Sequence, residues 1–166
     1  MNIFALHENP YTAVQEMCDV HIVKMIVESC QLLSTHDRLT KNLPEDDTRY
    51  KVTHQNHPCR VCLSYLPNYV WLVKHLHALL LEYTYRYGKT HKSAELFHKH
   101  WEPYLNMYHG SFAVKFPKCM PDEYKVGDES IESVVASYRN YYKFKKISMY
   151  KFRYTGRTEP MWLQEN

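Results

Sequence analysis

Three polar side chains in the first third of the sequence have types and a spacing that suit catalysis. His21, Lys24 and Glu28 follow one another at intervals of three and four residues. In a helix these intervals bring an imidazole, an ammonium group and a carboxylate onto one face. Such a group can perform acid–base catalysis, but the same spacing is common for an ion pair beside a polar histidine. The spacing alone leaves both interpretations open.

A second group of reactive side chains is the pair Cys59-x-x-Cys62, which closely follows His57. Thiols at this spacing bind zinc, usually together with a second such pair. The other cysteines stand alone, at positions 18, 30 and 119, and the total of five is odd. We therefore favour free thiols and no metal or other cofactor. A zinc site at His57, Cys59 and Cys62 is the less favoured alternative.

The most basic part of the chain lies near its C-terminal end, although the net charge is only +3. Residues 138–157, called here the basic aromatic tail, contain seven Lys or Arg, seven Tyr or Phe and no Asp or Glu. Positive charges neutralise phosphates, and aromatic faces stack on unpaired bases. This tail, and a similar mixture at residues 83–92, therefore predict a nucleic-acid-binding surface. The alternative is a helix whose tyrosines pack into the core and whose lysines only face water.

Several classes of protein are excluded by what the sequence lacks. The four glycines, at positions 88, 110, 127 and 156, are too far apart for a Gly-x-Gly-x-x-Gly or Walker loop, which excludes dinucleotide folds and P-loop enzymes. No apolar run approaches the roughly 18 residues of a membrane span, so we expect no membrane partner. The first residues lack the pattern of a secretory signal, and 166 residues fit one domain, expected in the cytoplasm.

The elements that must position the reactive side chains are predicted to be helices. Asn9 and Pro10 are typical of a helix start, and Gly88 is typical of a helix end. The predicted helices span residues 10–33, 58–65, 68–87, 93–101 and 128–146. Ser93 is the predicted cap of the fourth helix, and Asp128 or Ser130 is the predicted start of the fifth. A polar connection over 34–57 and an irregular stretch over 103–127 join these helices. The predicted fold class is all-α: a compact single domain over residues 1–166 that ends in the basic aromatic tail.

The first predicted helix resembles that of the bacteriophage endonuclease V-like family of pyrimidine-dimer DNA glycosylases. The shared pattern is Asp19-x-His21 with Glu28 seven residues after the histidine, close to the N-terminus. The turn Asn56-His57-Pro58 is similar to one in bacterial members, and the basic aromatic tail is similar in composition. The resemblance implies a small all-helical fold. It also implies a reaction in which the N-terminal α-amine attacks C1′ of a damaged nucleotide and forms a Schiff base.

The same resemblance implies roles for individual residues. The glutamate that matches Glu28 supports the Schiff-base chemistry, and the histidine that matches His21 contacts DNA. The N-terminal threonine of the family is absent, and Asn2 is large enough to hinder removal of Met1, so the nucleophile is either the Met1 α-amine or a lysine. An α-amine suits this step because an appreciable fraction of it is unprotonated near neutral pH. The implied catalytic residues are therefore Met1, Glu28 and His21.

The contacts with phosphates must differ from those of the family. The family has arginines close to the glutamate, where this chain has Val27 and Gln31. We therefore predict that a wider and mostly basic set of side chains contacts DNA. This set is Asn2, Lys24, His57, Arg60, Arg86, Lys89, Arg139, Tyr142, Lys143, Lys145 and Lys146.

The resemblance also implies a partner and a setting. The partner is double-stranded DNA with one base extruded, bound by a monomer in the cytoplasm of a phage-infected cell. The implied activity is removal of a damaged or modified pyrimidine, with or without an AP-lyase step, and the identity of the base stays open. The alternative is a nucleic-acid-binding phage protein without catalysis, in which His21 and Glu28 are structural polar groups.

Overall fold

Helices make up the regular secondary structure of the described chain. The computed structural model describes residues 1–107 and 114–164, and within these ranges it contains no strand, so the all-α prediction is confirmed. The helices are α1 (Pro10–Gln15), α2 (Asp19–Thr40), α3 (Pro58–Val61), α4 (Leu66–Tyr87), α5 (Ser93–His100), α6 (Ile131–Tyr141), α7 (Ile147–Met149) and α8 (Met161–Gln164). Short 3-10 turns lie at Cys62–Ser64, Glu102–Asn106 and Asp122–Tyr124, and a π-helical turn at Tyr142–Lys146 joins α6 to α7. None of the helices described is long and apolar enough to cross a membrane.

The core is built around α4, which packs against α1 and α2. Its start at a proline in the first turn and its end at Gly88, which has φ +63°, agree with the predicted span of 68–87 to within two residues. Leu72, Leu76 and Leu79 on this helix are completely buried. Burial of one such side chain stabilises the fold by about 1.5–3 kcal/mol, which is why the apolar centre of α4 becomes the core.

The predicted first helix, over residues 10–33, is two helices in the structure. The chain leaves helical geometry before α2, where Cys18 has an extended backbone with φ −72° and ψ 161°. The Cys18 N–H donates to the hydroxyl of Tyr142 at 2.9 Å instead of to a carbonyl group of the same helix. The break therefore depends on a partner that is 124 residues away. One uninterrupted helix was the wrong prediction because only tertiary contacts supply this hydrogen bond.

The second helix continues to Thr40, seven residues beyond the predicted end. Asp37 extends the buried face of α2 beyond the predicted end. Its carboxylate accepts hydrogen bonds from Tyr69 and Trp101, each at 3.0 Å, and forms an ion pair with Arg49. A fully buried carboxylate is stable only with such partners. The predicted polar connection is therefore shorter and begins after α2.

The second half of the chain follows the predicted order of elements with local differences. Ser130 caps α6 by accepting the Ser133 N–H at 3.3 Å, which confirms one of the two predicted starts. Ser93 is the first residue of α5 and not its cap. The stretch over 103–127 is irregular apart from two 3-10 turns, and its residues 108–113 lie outside the described part.

The basic aromatic tail is attached to the start of α2. The Asp19 N–H donates to the carbonyl oxygen of Arg153 at 2.9 Å, and the Asp19 carboxylate accepts from the backbone and the hydroxyl of Thr155 at 3.0 and 2.7 Å. Behind these bonds, Tyr138 and Tyr142 are buried in the same core as the N-terminal segment. The N-terminal segment and the basic aromatic tail therefore share one core, and the tail is fastened to the start of α2.

Candidate active site

The candidate active site begins with Glu28, which α2 holds at the edge of its buried face. The neighbouring Met25 and Ser29 are completely buried, whereas the Glu28 side chain keeps 16% of its surface exposed. Its Oε1 lies 3.6 Å from Nζ of Lys24, and its Oε2 accepts the backbone N–H of Asn2 at 3.0 Å. Lys24 and Glu28 are therefore paired across one helical turn, as their spacing predicts.

The N-terminal segment brings the α-amine of Met1 to this carboxylate, at 4.0 Å from Oε2 of Glu28. Asn2 fixes the segment through its side chain: Oδ1 accepts the N–H groups of Ile3 and Phe4 at 2.7 and 3.2 Å, and Nδ2 donates to the carbonyl oxygen of Cys119 at 3.0 Å. Phe4 has φ +43°, a value that costs free energy for any residue except glycine. These contacts and the burial of residues 3–6 hold the chain in this strained turn.

Met1 lies at one side of a surface groove of about 450 Å³. The wall beside it comes from the start of α3, where His57 accepts the Cys59 N–H at 3.1 Å and so caps the helix. The opposite wall is the segment 117–121, and Tyr141 at the end of α6 closes one side. Burial lowers the pKa of His57, and the positive charge of the nearby α-amine lowers it further. The groove is therefore lined by an imidazole, a thiol, a phenol and the side chain of Lys118 beside the amine.

Two thiols lie against each other at this groove. The Cys59 thiol is completely buried and donates a hydrogen bond to the sulfur of Cys119 at 3.4 Å. This hydrogen bond raises the pKa of Cys59 and lowers that of Cys119. Cys62 does not join them, since its thiol donates to the carbonyl oxygen of Cys59 at 3.3 Å. The Cys-x-x-Cys pair of the sequence is therefore not a pair of facing thiols.

His21 lies beneath the groove and not on its surface. Its side chain is almost completely buried, stacks on Phe4 with ring centroids 4.7 Å apart, and places Nδ1 2.7 Å from the hydroxyl of Tyr142. Burial and the charges of Lys146 and Lys24 lower the pKa of His21 to about 3, so it is neutral near neutral pH. The expected contact between His21 and DNA does not fit this position. His21 instead supports the N-terminal turn from below.

Two of the predicted DNA-binding lysines have contacts that connect them with the candidate site. The ammonium group of Lys146 is 4.9 Å from the ring of Tyr141, which lines the groove, and 5.9 Å from that of Phe4. Lys24 is exposed on α2 and is paired with Glu28. Lys143 and Lys145 are on the same π-helical turn as Lys146, and Lys145 is exposed.

Three other predicted contacts are engaged inside the protein. The Arg86 side chain is completely buried and donates to Asp19 and Glu82 at 2.9 and 2.8 Å. The phenol of Tyr142 is completely buried against Cys18 and His21. Arg139 donates to the carbonyl oxygen of Leu6 at 2.8 Å and to both oxygens of Glu16. The prediction that these side chains contact DNA is not supported, because each already satisfies a buried or partly buried partner.

The remaining two predicted contacts lie outside the groove lining. Arg60 donates from Nε to the carbonyl oxygen of Gln55 and is only partly buried. Lys89 is exposed beyond the end of α4, which is a different part of the surface from the residues that line the groove. Arg60 is close to the groove through α3, whereas no contact among the described residues connects Lys89 with the groove.

Sequence reasoning did not assign Lys118, Cys119 or Met120 to the site, although all three line the groove, and it included Tyr141 only as part of the basic aromatic tail. Cys119 is 60 residues away from Cys59, and the chain around it has no periodic pattern that would indicate its position. The only local signal is the pair Pro117 and Pro121, which favours an extended segment without indicating its neighbours. These residues reach the site through tertiary packing alone.

Comparison with known proteins identifies the family of the chain. The family model for pyrimidine dimer DNA glycosylase matches residues 1–96, which is more than half of the 166 residues and includes Met1, Glu28 and His57. No curated protein and no solved structure gives a significant match. Because the matched part contains the N-terminal segment, α2 and the start of the groove, the chain belongs to the pyrimidine dimer DNA glycosylase family.

Proposed function

We propose that this protein removes a damaged or modified pyrimidine from double-stranded DNA, with the α-amine of Met1 as nucleophile. The observation that carries the proposal is the 4.0 Å distance between this amine and the Glu28 carboxylate at a surface groove. An amine beside a carboxylate suits attack on a sugar carbon, because the carboxylate stabilises the cation that forms. Family membership supports DNA as the substrate and a pyrimidine lesion as the target.

The proposed reaction uses these two groups in turn. The unprotonated amine forms a bond to C1′ while the N-glycosidic bond breaks, and the base leaves with the electron pair and takes up a proton. The new ammonium group gives one proton to Glu28. The nitrogen lone pair then forms the C1′=N bond while the C1′–O4′ bond breaks, and O4′ leaves with that electron pair and takes the proton back from Glu28, which yields a protonated Schiff base and an open sugar. In an AP-lyase step, a base removes a proton from C2′ and the 3′ phosphate leaves. Glu28 is the carboxylate nearest to these atoms and stabilises each cationic state.

The surface around the groove supports binding of a duplex with one nucleotide extruded. Lys24, which pairs with Glu28, and the three lysines of the π-helical turn, of which Lys146 lies beside Tyr141, supply positive charge for binding of phosphates. A groove of about 450 Å³ lies within the range of roughly 300–1,000 Å³ that small ligands occupy, so it accommodates one base. Extrusion costs a few kcal/mol, and stacking on the half-buried ring of Tyr141 offsets part of this cost. We expect a monomer to be sufficient.

Borohydride reduction of the Schiff base tests the proposal directly. The protein is incubated with duplexes that carry a pyrimidine dimer or an abasic site, and borohydride then converts any Schiff base into a stable covalent adduct. We expect an adduct that maps to Met1 by peptide mass analysis, after the mass of the intact protein has verified the N-terminal residue. Glu28→Gln should lower the rate of trapping by roughly 10²–10³-fold, because it removes the charge that stabilises the cation.

Glu132→Gln is the matched control, since Glu132 is exposed on α6 and is not part of the groove. An adduct that maps to a lysine would refute the α-amine as nucleophile. The absence of an adduct on both lesions, with DNA binding retained, would favour the non-catalytic alternative.

A further inference from the structure

The side chains of His57, Cys59 and Cys119 form a cluster that the glycosylase reaction does not use. One ligand-type atom from each residue lies within 4.8 Å of the other two, and the two sulfur atoms are 3.4 Å apart. Zinc in a tetrahedral site holds sulfur at about 2.3 Å and nitrogen at about 2.0–2.1 Å, which separates neighbouring ligand atoms by roughly 3.3–3.8 Å. The three atoms therefore need only small movements to surround one ion.

The backbone holds these three side chains in place from two separate parts of the chain. His57 and Cys59 occupy the cap and the first turn of α3. The carbonyl oxygen of Cys119 accepts Nδ2 of Asn2 at 3.0 Å, and its N–H donates to the carbonyl oxygen of Pro117 at 3.0 Å. The cluster is thus organised before any ligand arrives, which favours binding.

An ion can reach this cluster from the groove, because His57 and Cys119 line it and Cys59 lies directly behind them. Lys118 also lines the groove, but its ammonium group donates to the carbonyl oxygens of Val126, Gly127 and Asp128. These bonds direct the Lys118 charge away from the thiols. His57 offers two ring nitrogens: Nδ1 would give up the hydrogen bond that it now accepts from the Cys59 N–H, whereas coordination through Nε2 would keep this bond.

We propose that His57, Cys59 and Cys119 form a binding site for a thiophilic divalent metal ion, namely Zn²⁺. Binding releases the protons of both thiols to the solvent, including the one that Cys59 now donates to Cys119. Thiolate and imidazole are donors that zinc prefers, whereas Mg²⁺ and Ca²⁺ require oxygen ligands. The three residues leave the fourth tetrahedral position open toward the groove. The donor set is not the one that the sequence suggests, since Cys119 takes the place of Cys62.

Titration with Co²⁺ and Zn²⁺ tests this site without any measurement of DNA repair. The protein is reduced with a phosphine, and Co²⁺ is added while the absorption spectrum is recorded. We expect one Co²⁺ per chain, with thiolate-to-metal charge-transfer bands and tetrahedral ligand-field bands, and stoichiometric displacement by Zn²⁺. Cys119→Ser should remove most of the charge-transfer intensity. Cys119→Ser should also weaken the affinity for the metal. Loss of a group that only hydrogen-bonds to a metal ligand weakens metal affinity by roughly 10–100-fold, and loss of the ligand itself should exceed this.

Cys62→Ser is the matched control, because it removes the neighbouring thiol that the Cys-x-x-Cys spacing would assign to the metal. It should leave the stoichiometry and the spectrum unchanged. Cys119 is only partly buried, so its serine variant is expected to fold even if a variant of the fully buried Cys59 is not, and circular dichroism verifies this. The proposal is overturned if the reduced protein binds no stoichiometric metal, if it yields only a disulfide between Cys59 and Cys119, or if Cys62→Ser abolishes binding as Cys119→Ser does.

Discussion

Asn2 has the most consequential side chain of the N-terminal segment, although it performs no chemistry itself. Its amide satisfies three backbone groups, on Ile3, Phe4 and Cys119, and its own N–H donates to Glu28. These bonds fix the peptide that carries the α-amine relative to the carboxylate. In an enzyme of this kind, a displacement of about 1 Å can lower the rate by roughly 100-fold.

Replacing Asn2 by leucine should therefore impair catalysis more than binding. Leucine is similar in size and large enough to hinder removal of Met1, but it makes none of the side-chain hydrogen bonds. We expect borohydride trapping to slow by about 10–100-fold, while affinity for the lesion-containing duplex changes much less. Trapping rates and binding isotherms measure the two effects. Asn106→Leu, at an exposed position, is the control, and equal losses of trapping and affinity would contradict a positioning role for Asn2.

The interior position of His21 leads to a prediction about Tyr142. Its hydroxyl accepts the Cys18 N–H and lies 2.7 Å from Nδ1 of His21, both in a buried environment. Tyr142→Phe leaves these two groups without their partner, and an unsatisfied buried polar group costs about 1–3 kcal/mol. Urea denaturation should show a loss of unfolding free energy in this range. Tyr83→Phe, the control, should lose almost no unfolding free energy, because Tyr83 is half-buried and its hydroxyl bonds to no described residue. A similar loss in both variants would contradict this role of Tyr142.

At the scale of elements, the basic aromatic tail is two structures with different tasks. Its tyrosines at 138 and 142 are core residues of α6 and the π-helical turn, whereas Lys143, Lys145 and Lys146 lie on that turn outside the core, with Lys146 beside the ring of Tyr141. Farther along, Arg153 and Thr155 attach the tail to the start of α2 through Asp19. The sequence combined these roles in one basic and aromatic pattern, and only the helical geometry separates them.

The three lysines of the π-helical turn should determine the salt dependence of DNA binding. The logarithm of the binding constant falls as the logarithm of the salt concentration rises, and each lost phosphate contact makes this slope less steep by about 0.9. Replacing all three lysines by alanine should therefore make the slope less steep by up to roughly 2.7. Affinity measured over a series of salt concentrations gives the slope. Lys99→Ala, on the exposed face of α5, should leave it unchanged, and Lys89→Ala tests whether the surface extends to the end of α4. An unaltered slope in the triple variant would locate the DNA surface elsewhere.

At the scale of the whole molecule, buried neutral histidines make the fold sensitive to acid. His75 is completely buried beside Trp71, and neither ring nitrogen has a partner among the described residues. Burial lowers its pKa to about 3, as burial also does for His21. In the unfolded chain both histidines bind a proton below about pH 6.5. The unfolded state therefore binds more protons than the folded state between about pH 6.5 and pH 3, and stability falls as the pH falls.

His75→Phe should reduce this sensitivity, because phenylalanine fills the same space and has no proton to gain. From about pH 7 to about pH 5, one such histidine accounts for roughly 2 kcal/mol of lost stability. Other histidines with lowered pKa values, such as His36, add to the loss in both proteins, so we expect the variant to lose about 2 kcal/mol less than the wild type over this range. Urea denaturation at the two pH values measures this, with His98→Gln at an exposed position as control. Identical losses in the wild type and His75→Phe would contradict the assignment.

How far the sequence predicts this molecule depends on the range of the interactions involved. The span of α4 is predictable because proline and glycine signals at its two ends act locally. The break before α2 is not predictable from local sequence, since it depends on Tyr142. The burial of Arg86 is not predictable either, since it depends on Asp19. The same holds for the candidate site: the spacing of Lys24 and Glu28 predicts their pairing, whereas the position of Cys119 beside Cys59 follows only from packing.

The groove is divided along the chain in a way that matters for engineering. The part that matches the family supplies the amine, the carboxylate and His57, whereas Lys118, Met120 and Tyr141 come from beyond residue 96. A combinatorial library at these three positions would alter the wall that faces the substrate while leaving the nucleophile and its carboxylate untouched. If the proposed function holds, a selection for new base specificity should therefore begin with the part of the gene that encodes residues beyond 96.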